Sequence, residues 1–378
     1  VAPDPLVDAG KTDAQGRWAY TAEALGTVYP YAAWEGKSTQ YQYPAASIGV
    51  TEDGVEQTET IPAESNRWIE EGNTVLDALL AFQEADGSFR WTQETAGLPS
   101  FATSQALVAL ADLACDDATK LYAGDTLTLE SSSARIEAAI EQAIDWYLAN
   151  ENPTDNWEVL PALTALGEDL NAAPWLTTQA WRETDPGFAA DASGTDHIQN
   201  IYRLLALGMD PGAAWDDRDL YSELAAQQDA ETGSFGALGK HIYAIMALVR
   251  GVEKGQTITD WDQAAEAAAL TYLLDAQEAD GSFGDLDTTG MALVALANYA
   301  GDETVDMAIK KAVDFIDTRQ INTGGFLPTP ASWGQTPENT NTNAVVISGL
   351  MAAGEKLLTS NEIVISDVSI PRKIVIED

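Results

Sequence analysis

Gln277-Glu-Ala-Asp-Gly-Ser-Phe283 recurs letter for letter as Gln83-Glu-Ala-Asp-Gly-Ser-Phe89. A form one residue longer runs from Gln228 to Phe235, and the stretch from Gln320 to Phe326 carries Gly-Gly-Phe in the same place. Asp-Gly is a turn signal: Gly accepts the positive φ that ends a helix, and Ser or Asp can cap the next element. A Phe at fixed offset can then tuck under the turn.

Working outward from these phrases, two kinds of helix alternate. Those after a phrase read Ala102–Ala114, Trp157–Leu166, His197–Leu207, His241–Val249, Thr289–Ala300 and Asn343–Ala353, apolar on nearly every side. A helix apolar all round is buried all round. Those before a phrase read Thr74–Gln83, Ala134–Ala149, Ala173–Arg182, Ala214–Gln228, Asp262–Gln277 and Thr304–Arg319, with acids and Gln at helical spacing and so one wet face. The apolar helices start at a mean period of about 48 residues, that of a repeat array. No single hairpin can bury its apolar side, so neighbours must stack. An open solenoid would need polar capping helices at both ends, and none is visible. The expected fold is therefore all-α, an (α/α)6 toroid with six inner and six outer helices over residues 72–356. Residues 1–71 read as an irregular extension with short strands, including a turn at Asp53-Gly54, and 357–378 as a strand-like tail or the start of a β domain.

Composition narrows the partners. Sixty acidic residues stand against nineteen basic ones, for a net charge of −41. Such a chain repels nucleic acid and an anionic membrane surface. No segment has the ~20 consecutive apolar residues of a membrane helix. The acidic surface suits an extracellular or wall-associated protein, or a salt-adapted one. The chain starts at Val1 rather than Met, which reads as a trimmed piece of a longer protein with further domains. Cys115 is the one cysteine, expected to be a buried thiol, so neither an internal disulfide nor a multi-cysteine zinc cage is possible. No Asp-x-[Asp/Asn]-x-[Asp/Asn]-Gly loop supports calcium.

The Gln-x-x-x-Gly-Ser-Phe phrases resemble the QW repeats of squalene and hopene cyclases, with Phe in place of Trp. The stretch Asp287-Thr-Thr-Gly-Met-Ala-Leu-Val-Ala-Leu-Ala297 is similar to a signature of intrinsic factor and transcobalamin relatives, and to toroid domains of bacterial cell-surface proteins. The resemblance, to the terpenoid cyclase, protein prenyltransferase and transcobalamin superfamily, implies the toroid. It does not carry over a reaction. The Asp-x-Asp-Asp acid motif of triterpene cyclases is missing, Asp216-Asp217-Arg218-Asp219 having the wrong order. Leu113 stands where the zinc-binding Asp-x-Cys pair of prenyltransferases would need Asp, and Cys-Gly-Glu-Gln is absent. For the corrinoid-binding branch Asp287 matches the signature Asp, but no His precedes it and no complete β domain is present. An N-cap role for Asp287 stands beside that reading.

The starts of the inner helices converge on one mouth of the ring, the natural pocket. Its candidate ligand-binding residues are Gln105, Asn156, Trp157, Asp196, His197, Asn200, His241, Tyr243, Asp287, Thr288, Asn341 and Asn343, with Thr103, Asp155, Lys240 and Asn339 beside them. With no catalytic motif found, the expectation is a non-catalytic, exported binding or scaffold module whose polar mouth holds a small molecule, peptide or glycan. A glycosidase or lyase is the alternative, using Asp155, Asp196 and Asp287 or the bases His197, His241 and Tyr243. A terpene cyclase ranks third.

Overall fold

The computed structural model describes residues 67–114, 134–150, 157–175, 187–215, 218–328 and 337–358, with strands at 18–21, 26–28, 31–35, 40–44, 48–51, 54–55, 364–368 and 373–377. Six of the helices form an inner layer: α2 (Pro99–Ala114), α4 (Val159–Ala165), α5 (Asp196–Ala206), α7 (Leu238–Glu253), α9 (Leu286–Ala297) and α11 (Thr340–Ala352). Around them stand α1 (Val75–Leu80), α3 (Ala134–Asn150), α6 (Leu220–Ala225), α8 (Gln263–Asp275) and α10 (Glu303–Asp317).

The inner layer closes. Helix α2 packs on α4, α4 on α5, α5 on α7, α7 on α9, α9 on α11, and α11 back on α2. The outer helices fill the second layer, α3 against α2, α6 against α5 and α7, α8 against α7, α10 against α9 and α1 against α11. This is the expected (α/α)6 toroid. Inner helices are apolar on all sides because both layers and the ring axis cover them: in α2 every residue from Ala102 to Ala111 is buried, and in α11 every one from Thr342 to Leu350. Helices α9 and α11 approach closest, through facing glycines: a Cβ on Gly349 would lie 2.5 Å from the Gly290 carbonyl oxygen.

The recurring phrases are the joints between hairpins. In each, the Gln side-chain amide donates to the Gly carbonyl of its own turn and to a backbone carbonyl of the next outer element. Gln83 reaches Ala139 of α3 at 3.0 Å, Gln228 reaches Ala265 of α8 at 2.9 Å and Gln277 reaches Ala308 of α10 at 2.8 Å. The fourth, Gln320, reaches the Trp68 carbonyl at 2.9 Å and thereby ties the last hairpin to the first. The seam is reinforced by Trp68 Nε1 donating to Glu355 (2.7 Å) and by Thr340 donating to the Arg90 carbonyl (2.5 Å).

Two outer helices differ from expectation. In place of Ala214–Gln228, only Leu220–Ala225 is helical. Ala214 and Arg218 bridge each other and Asp219 caps the helix, so it starts only at Leu220. For Ala173–Arg182, residues 173–175 are not α-helical and the Ala173–Pro174 peptide is cis; 176–186 lie outside the described residues, as does Cys115. The strands pair β5 (Ile48–Thr51) with β6 (Gly54–Val55), and β1 (Trp18–Thr21) with β8 (Lys373–Glu377), Trp18 opposite Ile376.

Candidate functional site

At the mouth, polar side chains serve the joints. Each phrase ends in a Phe whose backbone N–H needs an acceptor, and the next inner helix supplies one. Thr103 accepts from Phe89 (2.9 Å), His241 Nδ1 from Phe235 (3.2 Å), Thr289 from Phe283 (2.9 Å) and Asn343 Oδ1 from Phe326 (2.9 Å). His241 also donates Nε2–H to the Ala269 carbonyl at 3.0 Å, so both ring nitrogens are used and the neutral tautomer is fixed. Burial pushes its pKa down to about 4. His197 is likewise fully buried: Gln227 donates to its Nδ1 and Nε2–H faces Glu223 at 3.0 Å, with burial again the main cause of a lowered pKa. Glu223 in turn pairs with Arg218.

The remaining mouth candidates divide. Asn200 donates to the Asp196 carbonyl within α5, and Asp196 itself is exposed. Thr288 gives its backbone N–H to Asp285, which is the N-cap of α9, so Asp287 is not. Asp287 instead accepts from Asn341 Nδ2 at 2.8 Å across the α9–α11 contact. Lys240 donates to the Ser193 carbonyl and to Gln227. Asp155 and Asn156 lie outside the described residues. The structure therefore joins Asp287 to Asn341 and sets Gln105 and Tyr243 on one chamber, with Trp157 against Tyr243, but leaves the two histidines apart, each with its own partners.

The second group lines a chamber on the ring axis. Four inner helices each contribute an i, i+3 pair: Gln105 and Val108, Tyr243 and Met246, Met291 and Val294, Val345 and Ser348. Spacing of three places both members of a pair on one helix face, so the eight form two stacked layers. The cavity volume is only about 20 Å³, far below the ~300–1,000 Å³ of small-molecule sites, so a larger molecule enters only if the lining side chains move apart. Its walls are mostly apolar.

Two buried carboxyl groups lie behind this lining, each bonded to one of its residues. Gln105 Nε2 donates to Glu158 Oε2 at 2.5 Å. Burial pushes Glu158 up to about 7 against the opposing effect of that hydrogen bond. Beside it Trp157 stacks on Tyr202 at 5.4 Å and meets Tyr243 edge-on at 5.4 Å. Asp112, 1% exposed, lies one turn beyond Val108 on α2; Ser348 hydrogen-bonds it, and burial pushes it up to about 8. Both are missing from the residues that the sequence singled out. Asp112 is the one acid within Ala102–Ala114, and a lone acid in an otherwise apolar helix is the available signal.

No protein-family model matches the chain, and no curated protein matches it. Among solved structures, two similar ones are single-substitution variants of the type II terpene cyclase MstE from Scytonema, each in complex with its substrate geranylgeranyl dihydroxybenzoate. One is 14% identical, covering 75% of this chain and 97% of its own, with a TM-score of 0.49. The other is 14% identical, covering 74% and 96%, with a TM-score of 0.48. What they share with this chain is the toroid. The expectation of a non-catalytic scaffold with a polar binding mouth is corrected. His241 and Asn343 are spent on the ring's own joints, and His197 is held by Gln227 and Glu223.

Proposed function

We propose that the protein is a terpene cyclase-like enzyme that takes a neutral, apolar, prenyl-type small molecule into the axial chamber and acts on it by proton transfer from Glu158. The observation that carries this reading is a buried carboxyl, raised to about 7 by burial and so about half protonated near pH 7, held by Gln105 at the wall of an otherwise apolar chamber. A general acid works best with a pKa near the working pH. A diphosphate substrate does not fit, because no Lys or Arg lines the chamber and the chain carries a net charge of −41.

Acid strength narrows the substrate further. Protonating a bare alkene needs a strong acid, which the Asp-x-Asp-Asp arrangement supplies and this chain lacks. A carboxyl pushed up to about 7 suits an oxygen instead, such as a prenyl epoxide. Glu158 would give its proton to the epoxide oxygen as the C–O bond breaks. The adjacent alkene would close the ring, and loss of a proton to the Glu158 carboxylate would restore the acid, leaving an isomer of the substrate. The Tyr243 ring on the chamber wall can stabilise the cationic carbon through its π face.

The test is incubation with 10,11-epoxyfarnesol and product analysis by gas chromatography and mass spectrometry. A cyclised product of unchanged mass is expected, with Glu158→Gln slowing its formation by about 10²–10⁴-fold, the usual worth of a positioned general acid. Full conversion by Glu158→Gln would remove the assigned role, and absence of both product and binding would overturn the reading.

A further inference from the structure

A second space, larger than the axial one, opens beside the joint between α6 and α7. Its volume is about 620 Å³, within the ~300–1,000 Å³ of small-molecule sites. It shares no lining residue with the axial chamber and contains none of the candidate ligand-binding residues read from the sequence. Asp191 and Ser193 line it from the segment before α5, Gln227 and Asp229 from the joint, Lys240 from the first turn of α7 and Tyr272 from α8.

Lys240 is the informative residue. Its ammonium donates to the Ser193 carbonyl at 2.8 Å and to Gln227 Oε1 at 2.9 Å, both neutral oxygens. Gln227 is itself fixed, because its amide donates to His197 Nδ1 and to the Glu223 carbonyl. An ammonium has three N–H donors, so one of them has no acceptor among the described residues. No carboxylate among them pairs with Lys240 either, and burial is the influence that shifts its pKa, downward.

The acids of the cleft are unpaired as well. Asp229 commits Oδ1 to its own turn, accepting from the Glu231 and Thr232 N–H groups and from the Thr232 hydroxyl. Its Oδ2 has no partner among the described residues, and the exposed Asp191 has none there for either oxygen. One cation and two carboxylates thus line one cleft without forming an ion pair, which leaves room between them. An anion would meet Lys240 but also both acids and a net charge of −41. A cation would meet the acids but also Lys240. A molecule that carries both signs and no net charge avoids both conflicts. Tyr272 adds an aromatic wall: its ring meets His241 edge-on at 4.7 Å, and its hydroxyl has no partner among the described residues.

We propose that this cleft is a second ligand site and binds a small zwitterion of the amino-acid class, its carboxylate on Lys240 Nζ, its ammonium toward Asp191 and Asp229, and its apolar side chain along Tyr272. The site goes beyond the reading of the axial chamber and stands without it.

Isothermal titration calorimetry on the full chain, near neutral pH, compares L-phenylalanine with 3-phenylpropionate, which lacks the ammonium, and with 2-phenylethylamine, which lacks the carboxylate. L-Phenylalanine should bind about tenfold more tightly than either, the worth of one charge-assisted hydrogen bond. Lys240→Met should weaken L-phenylalanine by about the same factor and leave 2-phenylethylamine no weaker. Asp191→Asn and Asp229→Asn, the latter keeping the Oδ1 that the turn needs, should weaken L-phenylalanine and 2-phenylethylamine but not 3-phenylpropionate. Asp191 is exposed and unpartnered, so its replacement tests the site without burdening the fold. Equal affinity for L-phenylalanine and 3-phenylpropionate overturns the zwitterion in favour of an anion, and equal affinity for L-phenylalanine and 2-phenylethylamine overturns it in favour of a cation. L-Phenylalanine binding unchanged in both Lys240→Met and Asp191→Asn overturns its placement in this cleft. Failure of wild type to bind L-phenylalanine overturns the site.

Discussion

Two side chains, Asp112 and Glu158, set how stability depends on pH. Asp112 is raised from its ordinary 3.8 to about 8, and Glu158 from 4.5 to about 7, burial being the main cause in both. A folded-state pKa above the unfolded one means that the folded form holds the proton more tightly. The stability is fully present below pH ~4 and is lost as pH rises through the folded values. At about 1.4 kcal/mol per unit, Asp112 alone removes on the order of 5 kcal/mol between pH ~4 and ~8. Asp77 and Glu223, whose values are lowered, act in the other direction and favour pH above their ordinary range. Urea midpoints measured from pH 5 to 9 should therefore fall for wild type and fall much less for Asp112→Asn. Parallel curves for the two proteins would show that Asp112 is not neutral in the folded state. The residues also show where sequence reading stops. His197 and His241 attract notice as the chain's only histidines, but their partners, Glu223, the Phe235 N–H and the Ala269 carbonyl, sit on joints and outer helices that spacing does not align with them. Glu158 comes directly after Trp157, yet its neighbour Gln105 is fifty-three positions away.

At the scale of the element, the joints are legible because one geometry is written four times. The Gly of each phrase has positive φ and sits against the backbone of the next outer element. A Cβ would lie 2.1 Å from the Gln142 oxygen at Gly87, 2.4 Å from Ala268 at Gly233, 2.3 Å from Lys311 at Gly281 and 2.3 Å from Thr74 at Gly324. Gly is required there twice over, by φ and by space. Gly284, three residues after Gly281, separates the two requirements: φ is +95 but nothing lies within 4 Å of its Cβ position. Gly284→Ala should thus cost only the left-handed backbone, about 1–2 kcal/mol. Gly281→Ala should cost at least about 1–3 kcal/mol more, since an overpacked contact with rigid backbone is added. Equal losses in chemical denaturation would mean that the joint yields and the close approach is not structural. The phrases mark where outer helices end rather than where they start, and at Ala214–Gln228 amphipathic spacing alone overstates the length. The Ala214–Arg218 bridge and the Asp219 cap are local choices that periodicity does not register.

For the whole molecule, closure and charge pull against each other. The ring is held shut where its ends meet, by the Gln320 amide on the Trp68 carbonyl, by Trp68 on Glu355 and by the Thr340 hydroxyl on the Arg90 carbonyl. The chain as a whole carries sixty acids against nineteen bases. Like charges on a compact body repel and destabilise it, by an amount that salt reduces. Closing the ring does join Arg67 to Asp314 and Asp317, but the body as a whole carries a net charge of −41, so screening should favour the closed, compact form. The Debye length falls from about 10 Å at 0.1 M to about 3 Å at 1 M. The melting temperature should therefore rise steeply with KCl from 0.02 to 0.5 M and then flatten, because screening saturates. A rise that instead continues linearly to 3 M would point to general exclusion of salt from the surface. The seam supplies the internal control. Gln320→Ala removes the tie between the last hairpin and the first, whereas Gln277→Ala removes the same bond between neighbours already linked by the chain. If repulsion acts mainly to open the ring, Gln320→Ala should lose more stability than Gln277→Ala at 0.02 M KCl, and that gap should shrink at 0.5 M. A gap independent of salt would place the repulsion within the hairpins rather than across the seam.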